Sequence, residues 1–212
     1  MINVIDSMLA IKEFVFDSRK ISAEAFCDKL KNNDSDFLSE CRRCGTAFGT
    51  DNSTANRFTH KLSLDVYSML DKKKPYIGEG FIPASIQFMS QADAGRHIGA
   101  TPDGRKAGQP LCDSLGAIFG KDQKGPTAFL KSVASIDLNR AVGVPVLNFN
   151  IDEKWNDDIL KALILSYMEM GGIQMQITCI SEELLREAYK NPNEHKNLVV
   201  RVGGYSEYFY RL

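Results

Sequence analysis

The sequence predicts an α/β fold, and three observations carry the prediction. From Val144 to the end, segments with the two-residue period of strands alternate with segments of helical period, an order that requires crossover connections lying on a sheet. Before Pro75 the apolar residues recur at helical spacing, in places behind residues able to cap a helix. Hydrophobic residues make up 43% of the 212 and charged residues 25%, the balance of a globular chain that buries a core.

Met1 to Phe16 places Ile5, Met8, Leu9, Val15 and Phe16 near one helical face, and Ser22 to Lys31 repeats the pattern behind a capping serine. Residues 32–56 are polar and glycine-bearing and read as a long loop. Phe58, Leu62, Val66 and Met69 restore helical spacing, which Pro75 to Gly80 ends, and Phe81 to Phe88 reads as a strand. Residues 90–124 show little periodicity and many glycines, and a loop of that length is expected to be functional or packed against something. Pro126 suits the first turn of a helix continued by Ala128, Leu130, Val133 and Ala134. Val144 to Ile151 sets Leu147, Phe149 and Ile151 against Val146, Asn148 and Asn150, a strand with two different faces. Asn156 caps a helix through Met170 that Gly171 stops. Ile173 to Ile180 follows as a strand, Ser181 opens a helix that Asn191 and Pro192 break, and Leu198 to Val202 is the last strand.

Basic side chains number 26 and acidic ones 27, and the net charge of −1 leaves no electrostatic footprint for nucleic acid or anionic lipid. No run approaches the roughly 18 apolar residues of a membrane-spanning helix. Asp6, Lys12 and Glu13 interrupt the first segment, unlike a secretory leader, and a cytoplasmic protein is expected. The five cysteines, Cys27, Cys41, Cys44, Cys112 and Cys179, are odd in number and irregular in spacing, which favours reduced thiols. Cys41 and Cys44 lack the second ligand pair that zinc needs and read as surface or loop residues. His60, His97 and His195 fall in different elements, so no metal site is expected.

The last strand runs into Arg201-Val202-Gly203-Gly204-Tyr205-Ser206. Alone, a double glycine after a strand reads as a simple turn. Upstream blocks change its weight: Thr101-Pro102-Asp103-Gly104-Arg105-Lys106-Ala107-Gly108, then Gly120-Lys121-Asp122 leading to Gly125-Pro126-Thr127-Ala128, then Gly171-Gly172-Ile173-Gln174-Met175-Gln176. In order and spacing these resemble the glycyl radical enzymes of the pyruvate formate-lyase-like family, and the Pro-Thr-Ala block is closer to their glycerol and choline lyase branch. The resemblance is specific from about Gly95 onwards and looser, though collinear, before it. Two departures are local: Gly203 stands where the family has serine or alanine, and Glu207 where a small residue often follows.

The resemblance implies that Gly204 stores a radical on its α-carbon, where both flanking peptide groups delocalise it and no side chain opposes planarity. Arg201 is then expected to fix the radical loop and Tyr205 to pack against it. No cofactor is bound in the resting chain; a separate activating enzyme, using S-adenosylmethionine and an iron–sulfur cluster, installs the radical. The radical would pass to a cysteine in a Gly-Cys-x-Glu-like segment, which none of the five cysteines here occupies. The implied fold is the C-terminal part of a ten-stranded β/α barrel, residues 1–90, followed by a glycine radical domain, residues 91–212, ending in the radical loop. The expected partners are the activating enzyme, the N-terminal barrel portion with the cysteine, and a small-molecule substrate. A lyase, dehydratase or formate acetyltransferase-like subunit or fragment, a non-catalytic radical carrier that repairs a lyase, and an inactive truncated α/β domain remain the three readings. Asp103 reads as stabilising a turn; no chemical step is assigned to Asp103, Arg105 or His97.

Overall fold

The computed structural model describes residues 1–86, 90–141, 143–151, 155–202 and 205–211, with the backbone alone at residues 201, 202 and 205. The chain opens with helix α1 (Ile2–Ile11), which continues as a π-helical turn through Asp17, where Ser18 N donates to Glu13 O. Helix α2 (Ala23–Lys31) starts on Ser22, whose hydroxyl accepts from Ala25 N. Residues 32–56 are not a continuous loop: helix α3 (Ser35–Arg42) forms there, capped by the Asp34 carboxylate accepting from Phe37 N. Its apolar face is short, Phe37, Leu38 and Cys41, so a polar composition hides it. Helix α4 (Ser53–Asp71) is capped by Asn52 and spans the predicted periodic stretch.

The tract after α4 forms no strand among the described residues; Ser85 makes a single parallel bridge to Pro145, and residues 87–89 lie outside the description. Helix α5 (Ser90–Arg96) interrupts the region expected to be irregular. Helix α6 (Pro126–Ala134) begins with proline at its first turn, as the sequence predicts. Strand β1 (Asn148–Ile151), helix α7 (Asp157–Glu169) and strand β2 (Gln176–Cys179) form a crossover unit in which β1 and β2 pair in parallel, Phe149 opposite Ile177. Phe149 and Ile151 are buried while Asn150 is exposed, the two-faced pattern expected of this segment.

After helix α8 (Glu182–Lys190), strand β3 (Val199–Val202) does not join that sheet; it pairs antiparallel with β4 (Tyr205–Tyr208), a strand absent from the sequence reading. Alternation of strand and helix predicts crossovers, but a hairpin partner so close in sequence satisfies the β3 backbone groups first.

One core cluster packs Ile2, Ile5 and Leu9 of α1 with Phe48, Leu115, Phe129 and Val133, Leu147 and Phe149, and Tyr167. Within it Phe129 and Phe149 stack at 6.4 Å, and Trp155 meets Phe149 edge-on at 6.3 Å. A second cluster gathers Phe14, Phe26 and Phe37, with the Phe26 and Phe37 rings edge-on at 4.9 Å, around Ala10 and Cys41. Cys41 is therefore a core residue, not a surface or loop one. No helix among the described residues is long and apolar enough to cross a membrane.

Candidate functional site

The β3–β4 ladder brackets the double glycine. Val202 lies opposite Tyr205, Arg201 opposite Ser206 and Val200 opposite Glu207. Gly203 and Gly204 themselves lie outside the described residues, as do the side chains of Arg201 and Tyr205. β3 forms because Val199, Val200 and Val202 are β-branched, and Phe209 N donating to Leu198 O at 2.8 Å closes the far end of the ladder.

The glycine-rich block is organised by two buried charged residues. Asp103 is fully buried; its Oδ1 accepts from Thr101 Oγ1 at 2.6 Å and from Arg105 N at 3.0 Å, the turn the sequence predicts. Its Oδ2 accepts from Asn3 Nδ2 at 2.7 Å, and Asn3 Oδ1 takes Cys112 N at 2.8 Å, so α1 is tied to both ends of the loop. The Arg105 guanidinium donates to the carbonyls of Gln109 at 2.6 Å, Lys106 and Ile98 at 3.2 Å each, and Gly99. A Cβ on Gly104, where φ is +90°, would sit 2.6 Å from Leu38 O, so glycine is required both for the turn and for close contact with α3. Every partner of this pair is protein backbone or a neighbouring side chain, which makes it a scaffold for the loop.

A second buried pair was not singled out by the sequence. Asp6 and Lys121 face each other at 3.9 Å, with side chains 0% and 3% exposed. Asp6 Oδ1 accepts from Phe48 N at 2.7 Å, and burial pushes its carboxyl up to about 6 against the pull of Lys121. The signal was available: Asp6 falls on the same face of α1 as Ile2, Ile5, Leu9 and Ala10.

The buried and half-buried thiols are not prepared as nucleophiles. Burial pushes the Cys41 thiol up to about 12 and raises those of Cys44 and Cys112, so these thiols stay protonated. Cys27 and Cys179 are exposed. The histidines stay apart: His60 Nδ1 meets Ser135 O at 3.1 Å, His195 faces Glu187 at 3.7 Å, and His97 is exposed. Among the described residues no group of side chains could hold a metal ion. A cavity of about 690 Å³ between α1, α4 and the segment Pro83–Ile86 includes Asn3, Ser7, Thr101 and Ser114 in its wall but no charged side chain.

Comparison with known proteins gives two successive family matches, pyruvate formate lyase-like over residues 1–95 and glycine radical over residues 113–210. The isethionate sulfite-lyase of Bilophila wadsworthia is 29% identical over 99% of this chain and 26% of its own length. The trans-4-hydroxy-L-proline dehydratase of Clostridioides difficile is 28% identical over 99% of the chain and 27% of its own. The glycerol-bound, B12-independent glycerol dehydratase of Clostridium butyricum superposes on the whole chain with a TM-score of 0.91 at 32% identity, using 28% of its own length. The chain thus spans about a quarter of the length of these relatives.

Proposed function

Because the chain belongs to the pyruvate formate-lyase-like family of glycyl radical enzymes, we propose that it is the radical-bearing portion of a dehydratase or lyase, with the radical stored on Gly204. The observation that carries this reading is the β3–β4 ladder, which pairs the strands on either side of residues 203 and 204 within the stretch that matches the glycine radical family. In this reading residues 1–90 belong to the barrel and residues 91–212 to the radical domain.

The chemistry is hydrogen-atom exchange. A carbon radical derived from S-adenosylmethionine on the activating enzyme takes one α-hydrogen from Gly204, leaving the unpaired electron shared between two amides. The glycyl radical later recovers a hydrogen atom from a cysteine thiol, which becomes the thiyl that attacks substrate. That thiol is assigned outside these residues, because the chain has no Gly-Cys-x-Glu segment. Arg201 and Tyr205 are assigned to holding the loop. The same lack of a matching cysteine favours a second reading, a radical carrier that complements a separate lyase.

Anaerobic incubation with the activating enzyme tests both. A glycine-centred doublet by electron paramagnetic resonance, absent in Gly204→Ala, is the expected result, and exposure to air should then cut the chain at that position. A folded sample that gives no doublet rejects both readings, while substrate turnover by this chain alone rejects the carrier.

A further inference from the structure

The buried ion pair between Asp6 and Lys121 joins residues 1–95 to residues 113–210, the stretches that match separate families, and it is incompletely bonded. Elsewhere on this boundary the backbone is well paired: Gly143 N donates to Pro83 O and Ser85 N to Val144 O at 3.0 Å each, and Val146 N to Ser85 O at 3.1 Å. Asp6 and Lys121 face each other at 3.9 Å, yet Asp6 Oδ2 and Lys121 Nζ are both enclosed without a hydrogen-bond partner. A hydrogen-bonded ammonium and carboxylate close to about 2.7–2.9 Å. Two desolvated charges are offset by their attraction only when hydrogen bonds complete the pair, so this contact is poorly compensated when both groups are ionised. Both atoms are already fully enclosed, and further chain packed around these residues can only deepen their burial.

The groups around Asp6 come from several elements. Phe48 N, between α3 and α4, donates to its Oδ1; Lys121, before α6, attracts the charged carboxylate; Asp103, in the glycine-rich loop, repels it. Cys44, after α3, and Cys112 also feel its charge, and Cys41, on α3, that of Lys121, but burial keeps these three thiols neutral. Desolvation outweighs the pull of Lys121, so the enclosed carboxyl holds its proton more tightly than a carboxyl in water. Any movement that brings water to Asp6 therefore releases a proton, and rising pH favours that movement.

We propose that Asp6 and Lys121 form a proton-gated latch between residues 1–95 and 113–210: the boundary stays shut while Asp6 is protonated and parts locally, short of unfolding, once Asp6 is ionised and hydrated. The latch does not depend on which residue carries a radical. Native-state hydrogen exchange between pH 5 and 7, with rates corrected for intrinsic pH dependence, tests it. The amides of Phe48, Ser85, Gly143 and Val146 should exchange together and ahead of Leu130 and Val133 in α6. With the carboxyl at about 6 when shut and 3.8 when open, the opening constant rises about tenfold over that range. Asp6→Asn, which keeps an acceptor for Phe48 N, should abolish the rise, and Lys121→Met should move it to higher pH. Boundary amides that exchange no faster than those of α6 mean global unfolding alone and overturn the latch. So does a wild-type opening that ignores pH, or an equal rise in Asp6→Asn; a Lys121→Met profile identical to wild type overturns the pairing. The wild-type profile decides the matter even where a variant does not fold.

Discussion

Replacing Arg105 with lysine keeps the charge and removes the fork, and the structure sets the size of the effect. Five acceptors lie within 3.2 Å of the guanidinium: the carbonyls of Ile98, Gly99, Lys106 and Gln109, and Thr101 Oγ1. Arg105 is 2% exposed, so water does not replace a lost donor readily. A lysine ammonium carries three donors on one atom and cannot reach acceptors arrayed around a plane. At least two buried acceptors are then left unpaired, at about 1–3 kcal/mol each, for a loss of roughly 2–6 kcal/mol. Against a total stability of about 5–15 kcal/mol the change is large. In a chain of this size it lowers the thermal midpoint by roughly 5–20 °C, and the urea midpoint falls at unchanged slope. Hydrogen exchange should locate the damage at Gly104 N and Gly108 N, which donate to Thr101 O and Ile98 O across the loop. An Arg105→Lys protein within about 1 kcal/mol of wild type would refute the scaffold role.

Gly172→Ala should destabilise by about 1–3 kcal/mol in urea, because a Cβ there lies 2.3 Å from the ring of fully buried Tyr167, and overpacking of a fixed ring has that cost; wild-type stability would mean the ring can move. Asp6 titrates at about 6 in the folded chain against 3.8 unfolded, so the folded state holds its proton over that window. This contribution is fully present below pH 3.8, and it fades as pH rises through about 6, by roughly 3 kcal/mol in all. Comparing wild type with Asp6→Asn from pH 4 to 7, the wild type should lose that much stability relative to the variant, and parallel profiles would contradict the assignment. Native-state alkylation should modify Cys27 and Cys179 quickly and Cys41 only on unfolding; equal rates at all three would show that the buried Cys41 is accessible.

Periodic segments were legible in the sequence because one buried face leaves a repeat. α4, α7 and the alternation of Leu147, Phe149 and Ile151 stand out, and Ser22, Asn156 and Ser181 mark starts that the structure bears out with cap hydrogen bonds. Asn52 was missed as a cap because it sits inside a polar run. α3 escaped for the same reason, with three buried residues in eight. The burial of Cys41 could not be read at all, since it depends on Phe14, Phe26 and Phe37 arriving from three separate elements. Similarly, the Arg105 cage needs carbonyls from residues 98 to 109 to converge, a matter of loop path and not of residue type.

What the linear chain determined was its family, through ordered blocks whose glycines, prolines and charges constrain backbone locally, and the run of helices whose periodicity declares one buried side. Tertiary structure alone decided which polar groups are buried together, as Asp6 with Lys121 and Asp103 with Asn3, and which strand β3 chose. The physical reason is that capping and amphipathic period act over a few neighbouring residues, whereas desolvation of a charge and the choice of a strand partner depend on elements that sequence distance does not order.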